Sequence, residues 1–178
     1  MSRLEFQSRR QAGLAALYLG VFATIWFSVP AAEQPLRALL VVASGAALVT
    51  AVIGAVVVAR SRGPVAHDRA ADRRYLLIVL AEFAAAGLGA VVLALVGWSE
   101  FIPVLVCAVV GLHFFPLVPV LRDPLLRLLG AAMCVVALAG LVTALATAVS
   151  AGLVVGTGAG LLLLGYAVLA LLRTARQR

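Results

Sequence analysis

The sequence predicts an all-α membrane protein: a polytopic bundle of six transmembrane helices in three antiparallel hairpins, with both termini in the cytoplasm. Three observations predict it. Six apolar runs of about 20 residues fill the chain, and a helix of that length crosses roughly 30 Å of hydrocarbon at a rise of about 1.5 Å per residue. Hydrophobic residues make up 65% of the 178 and charged residues only 12%, with a mean hydropathy of +1.16. That balance excludes an ordinary soluble domain. Finally, all but one of the 14 basic residues fall in gaps that the hairpin arrangement puts on one side, and basic loops stay cytoplasmic.

Arg3, Arg9 and Arg10 precede the first run, 11–29. This basic start, with the small residues Val29, Ala31 and Ala32 after the run, imitates a secretory signal. The run is longer than a usual signal core, so it is expected to remain as the first helix. An outer turn, Pro30–Pro35, leads into the second run, 36–59. Arg37 lies at that outer edge as the one basic residue there, with Glu33 beside it and Glu100 in the next outer turn.

The one sizeable loop, 61–74, reads SRGPVAHDRAADRR and is placed in the cytoplasm. Gly63 and Pro64 break the preceding helix, and the mixed charges keep the segment in water. His67 and Asp68 have the chemistry of a catalytic or metal pair, but a solvated loop accounts for them. The third and fourth runs, 75–97 and 101–121, are joined by Trp98–Glu100. Arg122 and Arg127 mark the next cytoplasmic connection. The last two runs, 125–147 and 151–172, are joined by Ala148–Ser150 and followed by Arg173, Arg176 and Arg178.

Six spans use nearly everything, so residues 1–178 are expected to form a single transmembrane domain, multi-pass in the cell membrane. Any function then lies in the bundle, at its mouths or on its outer surface. The net charge of +7 follows from topology and does not point to nucleic acid. The lipid bilayer is the expected partner, with anionic headgroups at the arginines.

Small residues predict the tight helix contacts, because little hydrophobic force acts between helices in lipid and close backbone approach matters. Gly152, Gly156 and Gly160 recur on one face of the sixth helix, as do Ala47, Ala51 and Ala55 on the second. Gly130, Met133, Ala137, Gly140 and Ala144 form a lean stripe on the fifth. These stripes serve the bundle or a contact between protomers; a homo-oligomer through Gly152, Gly156 and Gly160 is one expectation. Trp98, Phe101 and Trp26 are expected at the outer boundary, where aromatic belts form.

Glu82 is the only acidic side chain well inside a span, and His113 is the only histidine there. Counting along the helices puts Glu82 roughly 10 Å and His113 roughly 12 Å from the cytoplasmic ends. The two therefore share a depth on adjacent helices. An ionisable group that faced lipid would cost several kcal/mol, so both are expected to face the interior or a cavity. A carboxyl beside an imidazole can exchange a proton near neutral pH, as a relay or a general acid must. Carrying that depth around the other helices adds Tyr18, Thr50, Cys134 and Tyr166, and Phe114 is a further candidate for lining a cavity. Pro116 and Pro119 follow His113 by one turn and are expected to kink, unwind or end the fourth helix, freeing the carbonyl of Leu112.

Other chemistries are excluded. Cys107 and Cys134 sit at different depths, so they are read as packing residues and not as a disulfide. No Cys–His spacing fits zinc, and a single membrane histidine rules out bis-histidine haem. There is no Asp-rich magnesium motif, Ser–His–Asp set, phosphate loop or potassium-type filter. No cofactor or metal is expected. Three functions remain: proton-linked transport or conduction of a small solute; an intramembrane enzyme with Glu82 as general acid on a lipid-soluble substrate, a cyclase or isomerase; and a non-catalytic assembly subunit. The sequence names no small-molecule or lipid-soluble ligand.

Overall fold

The structure, a computed structural model, describes residues 3–61, 69–121 and 123–175. Among these it is all-helical: α1 (Arg3–Ser28), α2 (Leu36–Arg60), α3 (Arg69–Leu95), α4 (Ile102–Leu121), α5 (Leu125–Ala146) and α6 (Ala151–Ala175). A single 3-10 turn, Ser99–Phe101, leads into α4. All six helices carry a stretch of 20 to 25 residues long and apolar enough to cross a membrane. Their outward side chains agree with that environment: Leu95 is 82% exposed, Leu145 71% and Val42 70%. In water, each such exposure would forfeit about 1.5–3 kcal/mol of burial, whereas in hydrocarbon the cost vanishes. The chain fits a multi-pass membrane protein.

Helices and apolar runs differ mainly at the basic ends. α1 starts at Arg3 and α3 at Arg69, ahead of the runs that begin at Gln11 and Tyr75. Helical hydrogen bonding does not stop where the apolar run begins, and Arg, Ala and Gln are good helix formers. Half of the predicted 61–74 loop, residues 62–68 with Gly63, Pro64, His67 and Asp68, lies outside the described residues, and 69–74 form the start of α3 instead of loop.

The helix ends are closed locally. Gly97, at φ 80°, lets the chain leave α3: its N–H reaches the Ala94 carbonyl at 3.2 Å and the Trp98 N–H reaches Leu93 at 2.8 Å. This is the glycine-terminated cap in which a left-handed residue satisfies the last carbonyls. At the start of α5 the Asp123 carboxylate accepts the Leu125 N–H at 3.1 Å. At the start of α6 the Ser150 hydroxyl accepts the Leu153 N–H at 3.3 Å. Both do what side-chain oxygens do for the unpaired amides of a first turn. Hydroxyls inside the helices turn back on their own backbone, as Thr24 does to Gly20 and Thr143 to Ala139. In a membrane the helix carbonyl is the nearest acceptor available to them.

The chain forms two compact units, residues 1–65 with 160–178, and residues 66–159. In the first, α1 and α2 meet backbone to backbone. A Cβ added at Gly54 would lie 2.5 Å from the Leu17 nitrogen, and one at Gly20 2.8 Å from the Ala51 nitrogen. Ala16, Ala23 and Ala47 are wholly buried. Thr24 and Ser44 also exchange long hydroxyl-to-carbonyl hydrogen bonds across this contact, each 3.5 Å. Contacts pair Gly13 with Val58, Gly20 with Ala47 and Thr24 with Ser44, so these two helices run in opposite directions.

Gly160 lies against the Phe27 ring, and both Gly156 and Gly160 are buried within the single chain. Trp26 is buried, whereas Trp98 is 61% exposed with the Phe101 ring edge-on to it.

In the second unit α4 and α5 meet through two glycines. A Cβ at Gly111 would lie 2.8 Å from Cys134 Sγ, and one at Gly130 2.7 Å from the Gly111 carbonyl. Gly140 against Val155, and Gly158 against Val136, pack α5 on residues 151–159 of α6. Cys107 is buried and its thiol donates to the Met133 carbonyl at 3.4 Å; both cysteines are free. α3 is different. None of its described side chains is fully buried, and its half-buried positions share one face: Ile78, Val79, Glu82, Ala86, Gly89, Ala90 and Leu93. That face meets α4, where Leu105 packs over the bare Gly89. Within this unit α3 packs along α4.

α4 is helical from Ile102 to Leu121 without interruption, with Pro116 and Pro119 inside it. The expected unwinding beside His113 is absent, and the helix ends two residues after Pro119. Both prolines are exposed, while Leu117 and Val118 between them are buried, so the inner side keeps the helix in place and the rings project outward. The missing amides remain missing. Pro116 cannot donate to the carbonyl of Leu112, nor Pro119 to that of Phe115.

Candidate functional site

Glu82 stands in the middle of that α3 face, flanked by Ile78 and Ala86 one turn to either side. The same spacing that packs α3 on α4 therefore aims the carboxyl at α4. His113 meets it there. Its Nδ1 is 3.1 Å from Glu82 Oε2, and the histidine and glutamate side chains are only 10% and 17% exposed. The imidazole also lies close to the backbone of Ile78, one turn before Glu82.

The contact is close but not aligned. Nδ1 is a buried atom without a hydrogen bond of proper direction, although the carboxylate oxygen is within ion-pair range. What acts across the gap is electrostatic attraction, with the hydrogen bond left for a small rotation to complete. Two arrangements are chemically equivalent in charge: a carboxylic acid beside neutral imidazole, and a carboxylate beside imidazolium. Both are neutral as a pair. A proton can therefore move between the two groups without leaving a net charge for the hydrocarbon to solvate.

Phe114 supports the ring. Its centroid is 6.0 Å from that of His113, with the planes at 69°, an edge-to-face arrangement of the favoured kind. Phe114 is buried, and it sits at the α4–α5 contact, where a Cβ added at Gly130 would come within 3.1 Å of its own Cβ. Gly130 thus makes room for the residue that backs the imidazole.

Within the second unit the structure brings Glu82, His113 and Phe114 together. Cys134 packs against Gly111, two residues before His113 on α4. Tyr18, Thr50 and Tyr166 belong to the first unit. Tyr18 is 55% exposed, Thr50 is buried with its hydroxyl on the Ala46 carbonyl at 2.8 Å, and Tyr166 is half-buried. Ile78 and Gly130 escaped the sequence reading. Ile78 was findable, because it lies one turn before Glu82; Gly130 was visible only as a packing residue. Among the described residues no group of three or more His, Cys, Asp or Glu gathers in a way that could hold a metal ion. No family model, curated protein or solved structure matches the chain.

Proposed function

We propose that Glu82 and His113 form a proton-exchanging site inside the membrane, used for proton-linked movement of a small solute. The 3.1 Å approach of two mostly buried ionisable groups within apolar helices carries the reading. A carboxyl and an imidazole held this close can pass one proton between them, and the imidazole titrates in the physiological range in its ordinary state.

The reading is tested by difference infrared spectroscopy on protein reconstituted in lipid. A pH jump should change a carboxyl C=O stretching band in wild type, and that band should be missing from Glu82→Gln. Identical difference spectra for the two proteins would overturn it.

The site belongs to a six-span topology with both termini in the cytoplasm, a reading supported by the arginine asymmetry. A reporter fused after Arg178 is expected to read as cytoplasmic. An external reading would reverse the topology and, with it, the side from which the site takes its proton.

A further inference from the structure

We propose that the Glu82–His113 site takes apolar molecules bearing a primary ammonium head, which enter from the lipid and displace the Glu82 proton. The proposal rests on the proton-exchange reading and adds a substrate class to it.

Access comes first. The pairing of Glu82 with His113 and of Gly89 with Leu105 means that α3 and α4 run in opposite directions. At about 100° per residue, positions 81 and 85 of α3 and 112 and 116 of α4 then lie on the same flank of the contact. Gly111 and Phe114 face α5 on the other flank. Ala81, Ala85, Leu112 and Pro116 are all exposed, Leu112 at 61%. Two of the four are alanines, which leave little between the carboxyl and the surface. These exposed positions open the flank to lipid.

The chemistry follows from what the flank offers. Glu82 presents a carboxylate once its proton has gone. Leu112 presents a backbone carbonyl whose helical donor is absent, since Pro116 stands four residues on. That carbonyl points along the helix toward Pro116, on the exposed flank. His113 Nδ1 is a further buried polar atom without an aligned partner. Carboxylate and carbonyl are acceptors only. The head that satisfies them is a cation with several N–H donors, and the apolar flank calls for a hydrocarbon body. An anionic head is repelled by the carboxylate, and a cation without N–H donors can offset its charge but leaves the Leu112 carbonyl unsatisfied. Since a carboxyl inside hydrocarbon is neutralised either by its proton or by a cation, each ammonium bound sends one proton to water.

The test uses isothermal titration calorimetry on the full chain in phosphatidylcholine nanodiscs, with empty nanodiscs subtracted. The probes are hexylammonium, hexyltrimethylammonium and hexanol, which carry charge with donors, charge alone, and a hydroxyl alone. Hexylammonium should bind saturably, and titrations in buffers of different ionisation heat should report proton release. Glu82→Gln should weaken that binding about a hundredfold or abolish it, because the cation is then buried without its counter-charge. Pro116→Ala returns a donor to the Leu112 carbonyl. It should weaken hexylammonium roughly three- to tenfold, the worth of one hydrogen bond, and leave hexyltrimethylammonium unchanged.

Equal binding to wild type and Glu82→Gln, hexanol matching hexylammonium, binding without proton release, or no effect of Pro116→Ala would each overturn the proposal. If the Glu82 infrared band responds to pH while hexylammonium fails to bind, only the substrate class falls. If the band itself is missing, the proton-exchange reading falls with it.

Discussion

Glu82→Gln is expected to fold as wild type and to stop proton movement altogether. The amide keeps the size of the carboxyl and can still face His113 across 3.1 Å, so the α3–α4 contact survives. It cannot release or carry a proton. In proteoliposomes with a pH-sensitive dye inside, adding hexylammonium should drive a pH change in wild type beyond that of protein-free vesicles, and the variant should match those vesicles. Glu82→Leu gives the complementary result. It leaves the buried Nδ1 facing hydrocarbon and should cost about 1–3 kcal/mol, the usual penalty for stranding a buried polar group, read as a lower midpoint in denaturing-detergent unfolding. A pair whose role is structural would reverse this pattern. Gln would then retain full activity, and only the leucine variant would suffer.

The membrane architecture was legible because its signals are physical limits on length and charge. A run such as Leu36–Ala59 can be read without any knowledge of its neighbours, and the observed α2 ends one residue beyond it. The shared depth of Glu82 and His113 was legible for a similar reason, as counting from two helix ends is a measurement along one axis. Angle around the axis was harder. Nothing in the sequence around Tyr18 says that its ring faces outward, since α1 is apolar nearly all round and gives no polar face to orient it. Thr50 shows another limit. Its depth was countable, but its hydroxyl is already satisfied by the Ala46 carbonyl, one turn back, a competition that any hydroxyl in a membrane helix faces. Pro116 and Pro119 were readable as missing donors and not as a missing helix, because the buried Leu117 and Val118 keep that turn in place. The burial of Trp26 against the exposure of Trp98 was not legible either, because aromatics near the ends of spans look alike in sequence.

Glycines divide in the same way, and the division gives the largest stability effect expected in this chain. Gly54 and Gly45 both lie in α2, both are flanked by apolar and small residues, and no local pattern distinguishes them. Their surroundings do. A Cβ at Gly54 would lie 2.5 Å from the Leu17 nitrogen and 2.7 Å from the Gly13 carbonyl, both backbone atoms that cannot rotate away. One at Gly45 would meet nothing within 4 Å. Gly54→Leu must therefore push α1 off α2, separating the wholly buried Ala16 and Ala47 and opening the Thr24–Ser44 contact. Overpacking of this kind typically costs about 1–3 kcal/mol where side chains can yield, and more is expected where backbone meets backbone. Gly45→Leu should be neutral or gain up to about 1 kcal/mol from helix propensity. The check is a pair of unfolding curves in the same detergent, with monodispersity by gel filtration. Gly54→Leu should elute as aggregate or unfold well below wild type, and Gly45→Leu should overlay it. Equal behaviour of the two variants would mean that α1 and α2 are not held by backbone contact, and the packing of the first unit would have to be drawn again.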